Sequence, residues 1–213
     1  SPAPCMGVLT SGSSSFPKVL FRTFESWADF FKIQDNMFSV SEDTRLYIHG
    51  SLGFTGNLNM VLDVLCAGGT VIGTSVLRPG LWLEDMQREH ISHIYMIPSK
   101  LSLLARRVRE PIRTVKMILS GSQLMSADSV RKLYRGFPES ELILYYGSTE
   151  LNYVSWITGR EILEKPESVG KPFPGVQVEI RGGEIFAHSR YMVCGAPSFC
   201  TSGHLLFFLF FFF

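Results

Sequence analysis

Residues 44–73 read TRLYIHGSLGFTGNLNMVLDVLCAGGTVIG and contain a complete strand–helix–strand pattern. Residues 44–48 are a short apolar run typical of a strand, and residues 58–67 are a mostly apolar segment of helical length. The glycines at 68–69 are expected to end this helix, and residues 70–73 predict a second, buried strand. This order of elements predicts two parallel strands joined by a crossover helix.

The same alternation continues on both sides of this stretch. Helices are predicted at residues 24–33, 82–89, 99–108 and 126–134, and strands at residues 91–97, 115–119 and 141–146. Ser126 is suited to cap its helix, because a serine hydroxyl accepts a hydrogen bond from the free N–H groups of the first turn. The first helix carries an aromatic stripe that we expect in the core: Phe24, Trp27, Phe30 and Phe31. The chain therefore predicts an α/β fold, a mostly parallel sheet flanked by helices.

After residue 160 glycine and proline separate short segments with strand-like alternation. Residues 176–180 and 184–188 predict a short antiparallel β segment that follows the parallel sheet. Residues 205–213 are an unbroken apolar run. A membrane-spanning helix needs roughly 20 residues, so we interpret this anomalous tail as a frameshifted or truncated end, with no membrane span.

The composition limits the classes of partner. The net charge is +1 without a basic block, which gives no reason to expect nucleic acid or an anionic membrane as partner. The four cysteines form no C-x-x-C pair, and the first residues lack the pattern of a signal peptide. We therefore expect reduced thiols, no zinc site and a cytoplasmic location. The sequence makes no prediction about oligomeric state.

Two polar segments carry the chemistry. Residues 9–18 read LTSGSSSFPK and residues 145–150 read YYGSTE. A loop of small hydroxyl residues can surround a polyphosphate, since backbone N–H groups and hydroxyls donate to the oxygens and the lysine adds a positive charge. A hydroxyl beside a carboxylate suits a phosphate with its magnesium ion. Together the segments predict a nucleotide-using enzyme.

These segments resemble two motifs of the acyl-adenylate-forming superfamily, which contains acyl- and aryl-CoA ligases, peptide-synthetase adenylation domains and luciferases. Its loop, T-S-G-S/T-T-G-x-P-K, is matched at Thr10, Ser11, Gly12, Ser13, Pro17 and Lys18. The loop differs at Ser14 and at Ser15, where the family has glycine. Ser15 would be strained there if that glycine has a positive φ. The second motif, Y-G-x-T-E, is intact from Tyr146 to Glu150.

The resemblance implies a role for each matched residue. Catalytic roles fall to Lys18 at the β- and γ-phosphates and to Thr149 and Glu150 at the α-phosphate, with Glu150 holding magnesium. Tyr146 would stack on adenine. The resemblance also implies nucleotide contacts from a larger set: Thr10, Ser11, Gly12, Ser13, Ser14, Ser122, Gln123, Gly147, Ser148 and Thr149.

The same resemblance implies an acyl pocket lined by His49, Phe54, Ser122 and Gly147. A neutral aliphatic or aryl acid is the expected substrate, because residues 49–57 contain no carboxylate that could pair with an ammonium group. Asp63 is the residue that could reverse this expectation. His204 stands where the family has an aspartate that binds the ribose, and an imidazole lacks the bidentate acceptance of a carboxylate.

The predicted function is ATP-dependent activation of a small carboxylic acid to acyl-AMP, followed by transfer to a thiol of coenzyme A or of a carrier protein. ATP, Mg²⁺ and coenzyme A are the implied cofactors. We interpret the chain as a truncated, inactive central piece of the family's large domain, without its mobile lid. The alternatives are an amino-acid-activating adenylation domain, a degenerate homologue that binds without turnover, and a plain α/β domain.

The predicted division of the chain follows from these segments. Residues 1–160 would form an α/β subdomain that binds nucleotide and acyl group, and residues 161–204 a small β-rich subdomain. Residues 205–213 remain as the apolar tail.

Overall fold

The computed structural model describes residues 5–10, 18–181, 184–189, 191 and 205–207. The strands are β1 (Cys5–Thr10), β2 (Lys18–Thr23), β3 (Arg45–His49), β4 (Thr70–Thr74), β5 (His93–Tyr95), β6 (Met117–Gly121), β7 (Glu141–Ser148), β8 (Asn152–Thr158), β9 (Lys171–Pro172), β10 (Val176–Arg181), β11 (Glu184–Ser189) and β12 (Leu205–Phe207). The helices are α1 (Glu25–Phe38), α2 (Thr55–Cys66), α3 (Pro79–Arg88), α4 (Pro98–Ala105), α5 (Ala127–Gly136) and α6 (Gly159–Glu164).

The largest sheet has seven strands in the order β4-β3-β5-β6-β7-β8-β9. The first five of these strands run parallel, and β8 and β9 are added antiparallel. Strands β1 and β2 form a separate antiparallel hairpin, and β10, β11 and β12 form a three-stranded antiparallel sheet. The predicted α/β class and the antiparallel segment after it are confirmed.

Both faces of the large sheet are covered, because successive strand residues point to opposite sides. In β3, Leu46 and Ile48 pack in one apolar cluster together with α1 and α2. Tyr47, between them, packs in a second cluster with α3, α4, α5 and α6. The helices thus form a layer on each side of the sheet, as the alternation of strands and helices predicts.

Local signals fix several helix ends. The Ser126 hydroxyl accepts a hydrogen bond from the Ser129 N–H, so the predicted cap of α5 is confirmed. At α6 the Thr158 hydroxyl accepts from the Glu161 N–H, while the Glu161 carboxylate accepts from the Thr158 N–H. This reciprocal pair is a capping box. None of the helices in the described part of the chain is long and apolar enough to cross a membrane.

The structure corrects two details of the sequence prediction. Strand β4 is not buried, because it lies at the edge of the sheet with its side chains partly or fully exposed. Phe24 precedes α1 and is 40% exposed, whereas Trp27, Phe30 and Phe31 are buried as expected. Helix α6 and the strands β1, β2, β8, β9 and β12 were not predicted.

The three-stranded sheet shares a core with the large one. Val176, Ala187 and Tyr191 belong to the same apolar cluster as Phe30 of α1. The rings of Phe30 and Tyr191 meet edge to face at 4.8 Å between centroids. Leu205–Phe207, within the segment treated above as a tail, pair with β11. The division into two subdomains stays a prediction.

Candidate functional site

The motif-bearing segments collect at one edge of the large sheet. Strands β3, β5, β6 and β7 run parallel, so their carboxyl ends lie side by side. His49 ends β3, Gly121 ends β6, and Gly147 and Ser148 end β7. Open α/β sheets bind their ligands beyond the carboxyl ends of the strands. The site is therefore expected at this edge on grounds of topology alone.

The YGSTE motif occupies the tip of the β7–β8 hairpin. A register shift between Tyr146 and Gly147 marks a β-bulge at this point. A Cβ on Gly147 would lie 2.4 Å from the carbonyl oxygen of Asn152, closer than any side chain tolerates. Asn152 itself has a positive φ of 67°. Glycine is thus required for the tight return that presents the next three residues.

The side chains of the motif turn have distinct surroundings. The Ser148 hydroxyl accepts a hydrogen bond from the Leu151 N–H at 3.1 Å and closes the turn. The Thr149 hydroxyl lies 3.3 Å from the Thr55 hydroxyl at the start of α2. Burial, and then the nearby Glu150 carboxylate, raise the pKa of Tyr146. Thr149, Glu150 and Tyr146 are therefore grouped at the sheet edge, as predicted.

Two tyrosines fill the space between β5, β7 and the start of α2. The hydroxyls of Tyr95 and Tyr145 are hydrogen-bonded to each other. A Cβ on Gly56 would lie 2.3 Å from the Tyr95 hydroxyl, and one on Gly121 would lie 2.6–2.9 Å from the Tyr145 ring. Glycine at both positions lets the rings approach the backbone. The sequence analysis did not single out these tyrosines.

His49 and Lys100 lie at the end of β3. His49 is 7% exposed, and its ring meets Trp82 edge to face at 4.6 Å. Burial, and then the charge of Lys100, lower the pKa of His49. The Lys100 ammonium lies 3.5 Å from the His49 carbonyl oxygen, and burial lowers its pKa too. Within the described part of the chain, none of the ion pairs includes Lys100.

Arg22 is a buried cation that the sequence analysis missed. It lies on β2, is 1% exposed, and donates to the carbonyl oxygens of Thr149 at 3.2 Å and Glu150 at 3.4 Å. Its burial is evident only in the structure. In β2 the residues alternate, with Leu20 buried and Val19 and Phe21 exposed, so an arginine in the next buried position is unusual.

Several predicted contacts cannot be placed. The residues outside the described part of the chain include Ser11, Gly12, Ser13, Ser14, Ser15, Pro17 and His204. The backbones of Thr10 and Lys18 pair with each other across the β1–β2 hairpin. The hairpin therefore brings the two ends of the serine-rich loop together.

The remaining predicted residues are solvent-exposed. Ser122, with a positive φ of 71°, and Gln123 follow β6 with exposed side chains. Phe54 precedes α2 and is 69% exposed. All three stand on loops that leave the carboxyl edge of the sheet. Their contacts to nucleotide or acyl group stay predictions.

Asp63 lies in a buried polar cluster between α1 and α2. It is 1% exposed, and its Oδ2 accepts a hydrogen bond from the Gln34 amide at 2.9 Å. Burial, and then the charge of Asp35, raise its pKa to about 8. A carboxyl group that is held by Gln34 and disfavours ionisation is a poor partner for a substrate ammonium.

The residues at the motif turn fit a magnesium–nucleotide complex. Mg²⁺ is usually bound through one or two carboxylates together with substrate phosphates and water. Glu150 could offer one carboxylate to such a complex, and Thr149, next to it in the sequence, a hydroxyl. In the described part of the chain no three His, Cys, Asp or Glu side chains form a cluster that could hold a metal ion without a substrate.

A doubly covered parallel sheet with these groups at its carboxyl edge is the arrangement of a nucleotide-binding α/β protein. The family model described as "AMP-binding enzyme" matches residues 3–189. The chain therefore belongs to the family of AMP-binding enzymes, and the predicted resemblance is confirmed.

Individual relatives agree with this family. YhfT of Bacillus subtilis, an uncharacterized acyl-CoA ligase, is 36% identical over 177 residues, which are 82% of this chain and 37% of YhfT. O-succinylbenzoate coenzyme A synthetase (MenE) of B. subtilis, solved with ATP and a magnesium ion, has a TM-score of 0.84 at 19% identity and covers 94% of this chain and 46% of MenE. The amide bond synthetase McbA of Marinactinospora thermotolerans has a TM-score of 0.81 at 23% identity, over 94% of this chain and 44% of McbA. The chain thus spans less than half the length of these proteins.

Proposed function

We propose that this chain forms the nucleotide- and acid-binding part of an ATP-dependent acid–thiol ligase. In the first step, a carboxylate oxygen attacks the α-phosphorus of ATP, the bond to the β-phosphate oxygen breaks, and pyrophosphate leaves. In the second step, a thiolate attacks the acyl carbon and AMP leaves. Coenzyme A is the proposed thiol, because the relative YhfT is named as an acyl-CoA ligase. The thiol of a carrier protein is the alternative acceptor.

The β7–β8 hairpin is the observation that carries this proposal. Thr149 and Glu150 lie at its tip, next to the bulge at Tyr146 and Gly147 and at the edge where ligands of parallel sheets bind. Lys100 adds a positive charge without a carboxylate partner among the described residues. An aromatic ring, a hydroxyl and a carboxylate at this edge suit adenine, a phosphate and its magnesium ion, in that order.

The contribution of the protein to the first step is positioning and charge stabilisation. Thr149 would donate a hydrogen bond to an α-phosphate oxygen, and Tyr146 would stack on the adenine. Lys18 and the hydroxyls of residues 10–14 would hold the β- and γ-phosphates. Magnesium, held by Glu150, would neutralise negative charge on the phosphates.

A neutral aliphatic or aryl acid is the proposed substrate class. Residues 49–57, which run from the end of β3 into α2, contain no carboxylate. Asp63, the nearest candidate along the chain, is buried and hydrogen-bonded to Gln34. This arrangement argues against pairing with an amino-acid ammonium group, and hence against an amino-acid-activating domain. We therefore propose a cytoplasmic location, where ATP and coenzyme A would be available and cysteines would stay reduced.

A thermal melt with a non-hydrolysable acyl-AMP mimic and Mg²⁺ tests the site. At 100 times its dissociation constant a ligand adds about 2.7 kcal/mol to stability, which raises the melting temperature by a few degrees. We expect this shift for the chain and its loss in Glu150→Ala and Lys18→Ala. The exposed substitution Asp43→Ala is the control and should keep it. No shift at millimolar mimic would contradict the proposed site.

ATP–pyrophosphate exchange separates an enzyme from a degenerate binder. Since the chain spans less than half the length of the relatives it matches, we expect the chain alone to show exchange that is slow or below detection despite binding. Rapid exchange, comparable to that of a complete ligase, would contradict this expectation. Binding without exchange, if it persisted in the longest available form of the protein, would favour the degenerate homologue.

A further inference from the structure

Arg22 donates hydrogen bonds to four acceptors from three parts of the chain. Its Nη2 donates to the carbonyl oxygens of Thr149 and Glu150. Its Nη1 donates to the Ser26 hydroxyl at 3.1 Å and to the Tyr191 carbonyl oxygen at 2.9 Å. The guanidinium also lies 5.5 Å from the centre of the Trp27 ring. These contacts connect β2, the motif turn and the segment that follows β11.

We propose that Arg22 is a positioning residue that holds the Thr149–Glu150 turn in the orientation needed to bind the magnesium–nucleotide. This inference rests on the function proposed above. A buried cation is stable only when acceptors replace its lost water. Arg22 uses two of its donors on the carbonyls of the two motif residues whose side chains would meet phosphate and magnesium.

The geometry explains why arginine suits this role. Fixing the carbonyls of Thr149 and Glu150 fixes the planes of the two peptide groups that follow them. The directions of both side chains are then restricted, with Thr149 beside Thr55 and Glu150 close to Tyr146. A guanidinium presents five donors in a rigid plane, whereas a lysine ammonium is a single flexible donor group.

Arg22 also connects the turn to the predicted phosphate loop. It lies on the same strand as Lys18, with which β2 begins. A purely structural arginine would need acceptors, but it would not need those acceptors to be the motif carbonyls.

The test measures how much Mg²⁺ tightens the binding of a non-hydrolysable ATP analogue, by isothermal titration with and without Mg²⁺. The quantity measured is the Mg²⁺ ratio, the dissociation constant without Mg²⁺ divided by that with Mg²⁺. If Arg22 positions the turn, Arg22→Lys should lower this ratio at least fivefold. A general loosening of the fold would weaken binding equally in both conditions and leave the ratio unchanged. Arg45→Lys is the control. Arg45 also donates to a carbonyl oxygen, that of Glu89, but it lies at the amino end of β3, away from the carboxyl edge of the sheet that carries the motif turn.

Ser26→Ala provides a milder variant in case Arg22→Lys does not fold. It removes one acceptor of Arg22 away from the motif turn, and we expect a smaller decrease of the Mg²⁺ ratio, about twofold. An unchanged ratio in the folded variants, or a ratio of one in the unaltered chain, would overturn the positioning role. Failure of the unaltered chain to bind the analogue at all would instead overturn the proposed function, and this inference with it.

Discussion

At the scale of single residues, Asp63 shows how burial opposes ionisation. Its pKa is raised from 3.8 to about 8 because the carboxyl group is removed from water near Asp35. Between pH 4 and pH 8 the unfolded chain releases this proton while the folded chain retains it. The free energy of unfolding therefore decreases as pH rises through this interval. At pH 7 the loss is on the order of 4 kcal/mol.

We predict that Asp63→Asn stabilises the protein at pH 7 to 8 by up to a few kcal/mol. The amide cannot ionise, its oxygen can accept from Gln34 Nε2, and its nitrogen can donate to Gln34 Oε1, which has no partner among the described residues. Urea unfolding at pH 5 and pH 8 should show a smaller pH dependence than in the unaltered chain. The exposed Asp43→Asn should change neither value, and a variant less stable at pH 8 would contradict the prediction.

Gly121 illustrates a steric effect, because the Tyr145 ring leaves no room for a side chain at this position. An alanine methyl group there would lie 2.6–2.9 Å from ring atoms of Tyr145, which is itself hydrogen-bonded to Tyr95. Overpacking of this kind typically costs about 1–3 kcal/mol. We predict a loss of this size for Gly121→Ala in urea unfolding. Gly80→Ala is the control, since nothing lies within 4 Å of its Cβ position on α3. That substitution should be neutral or stabilising, and equal losses in both variants would contradict the steric explanation.

At the scale of elements, the β7–β8 hairpin joins fold and function. A Cβ on Gly147 would meet the Asn152 backbone at 2.4 Å, so Gly147→Ala must displace one side of the bulge. We predict that this variant loses affinity for the acyl-AMP mimic by tenfold or more and unfolds at lower temperature. Both quantities can be read from one series of thermal melts with increasing mimic.

Gly159→Ala is the matched control for this prediction. Its Cβ would lie 2.3 Å from the Tyr134 hydroxyl, so it should also destabilise the fold. Gly159 begins α6, close to the amino end of β7 and away from the motif turn. The control should therefore leave affinity for the mimic within twofold. A similar loss of affinity in both variants would mean that stability alone accounts for the effect.

The elements also show what a sequence can predict. Periodicity and caps act locally, so β3, α2 and the Ser126 cap were predicted close to their observed bounds. The edge position of β4 was not predicted, because the exposure of a strand depends on whether other strands pair with both of its sides. Strand β8 was missed because nearly all of its residues are buried, so it lacks the alternation of apolar and polar residues that marks a half-buried strand.

The same limit applies to the candidate site. The YGSTE turn has a recognisable spacing, so its place at the sheet edge was predicted. Arg22 reaches it only through contacts more than a hundred residues apart in sequence. The pairing of Tyr95 with Tyr145, and the burial of His49 on Trp82, likewise depend on the packing of separate elements. No local pattern encodes these contacts.

At the scale of the whole molecule, Phe173 connects the large sheet to the three-stranded one. It is 1% exposed and contacts Phe30, Tyr153 and Trp156, just before β10 begins. The cluster that contains Phe173 also includes residues of β10 and β11. Because one core spans both sheets, we expect them to unfold together in a single cooperative transition, despite the predicted division near residue 160.

We predict that Phe173→Ala lowers the free energy of unfolding by about 3–5 kcal/mol, the usual cost of removing a buried ring. Far-UV circular dichroism reports the unfolding of both sheets. Tryptophan fluorescence reports the surroundings of the buried Trp27 on α1 and Trp82 on α3, which lie outside the three-stranded sheet. The two signals should have coincident urea midpoints before and after the substitution. Ile180→Ala, on β10 and 72% exposed, should leave the midpoint nearly unchanged. An earlier transition seen only by circular dichroism in Phe173→Ala would show instead that the small sheet unfolds by itself, as two separate subdomains would.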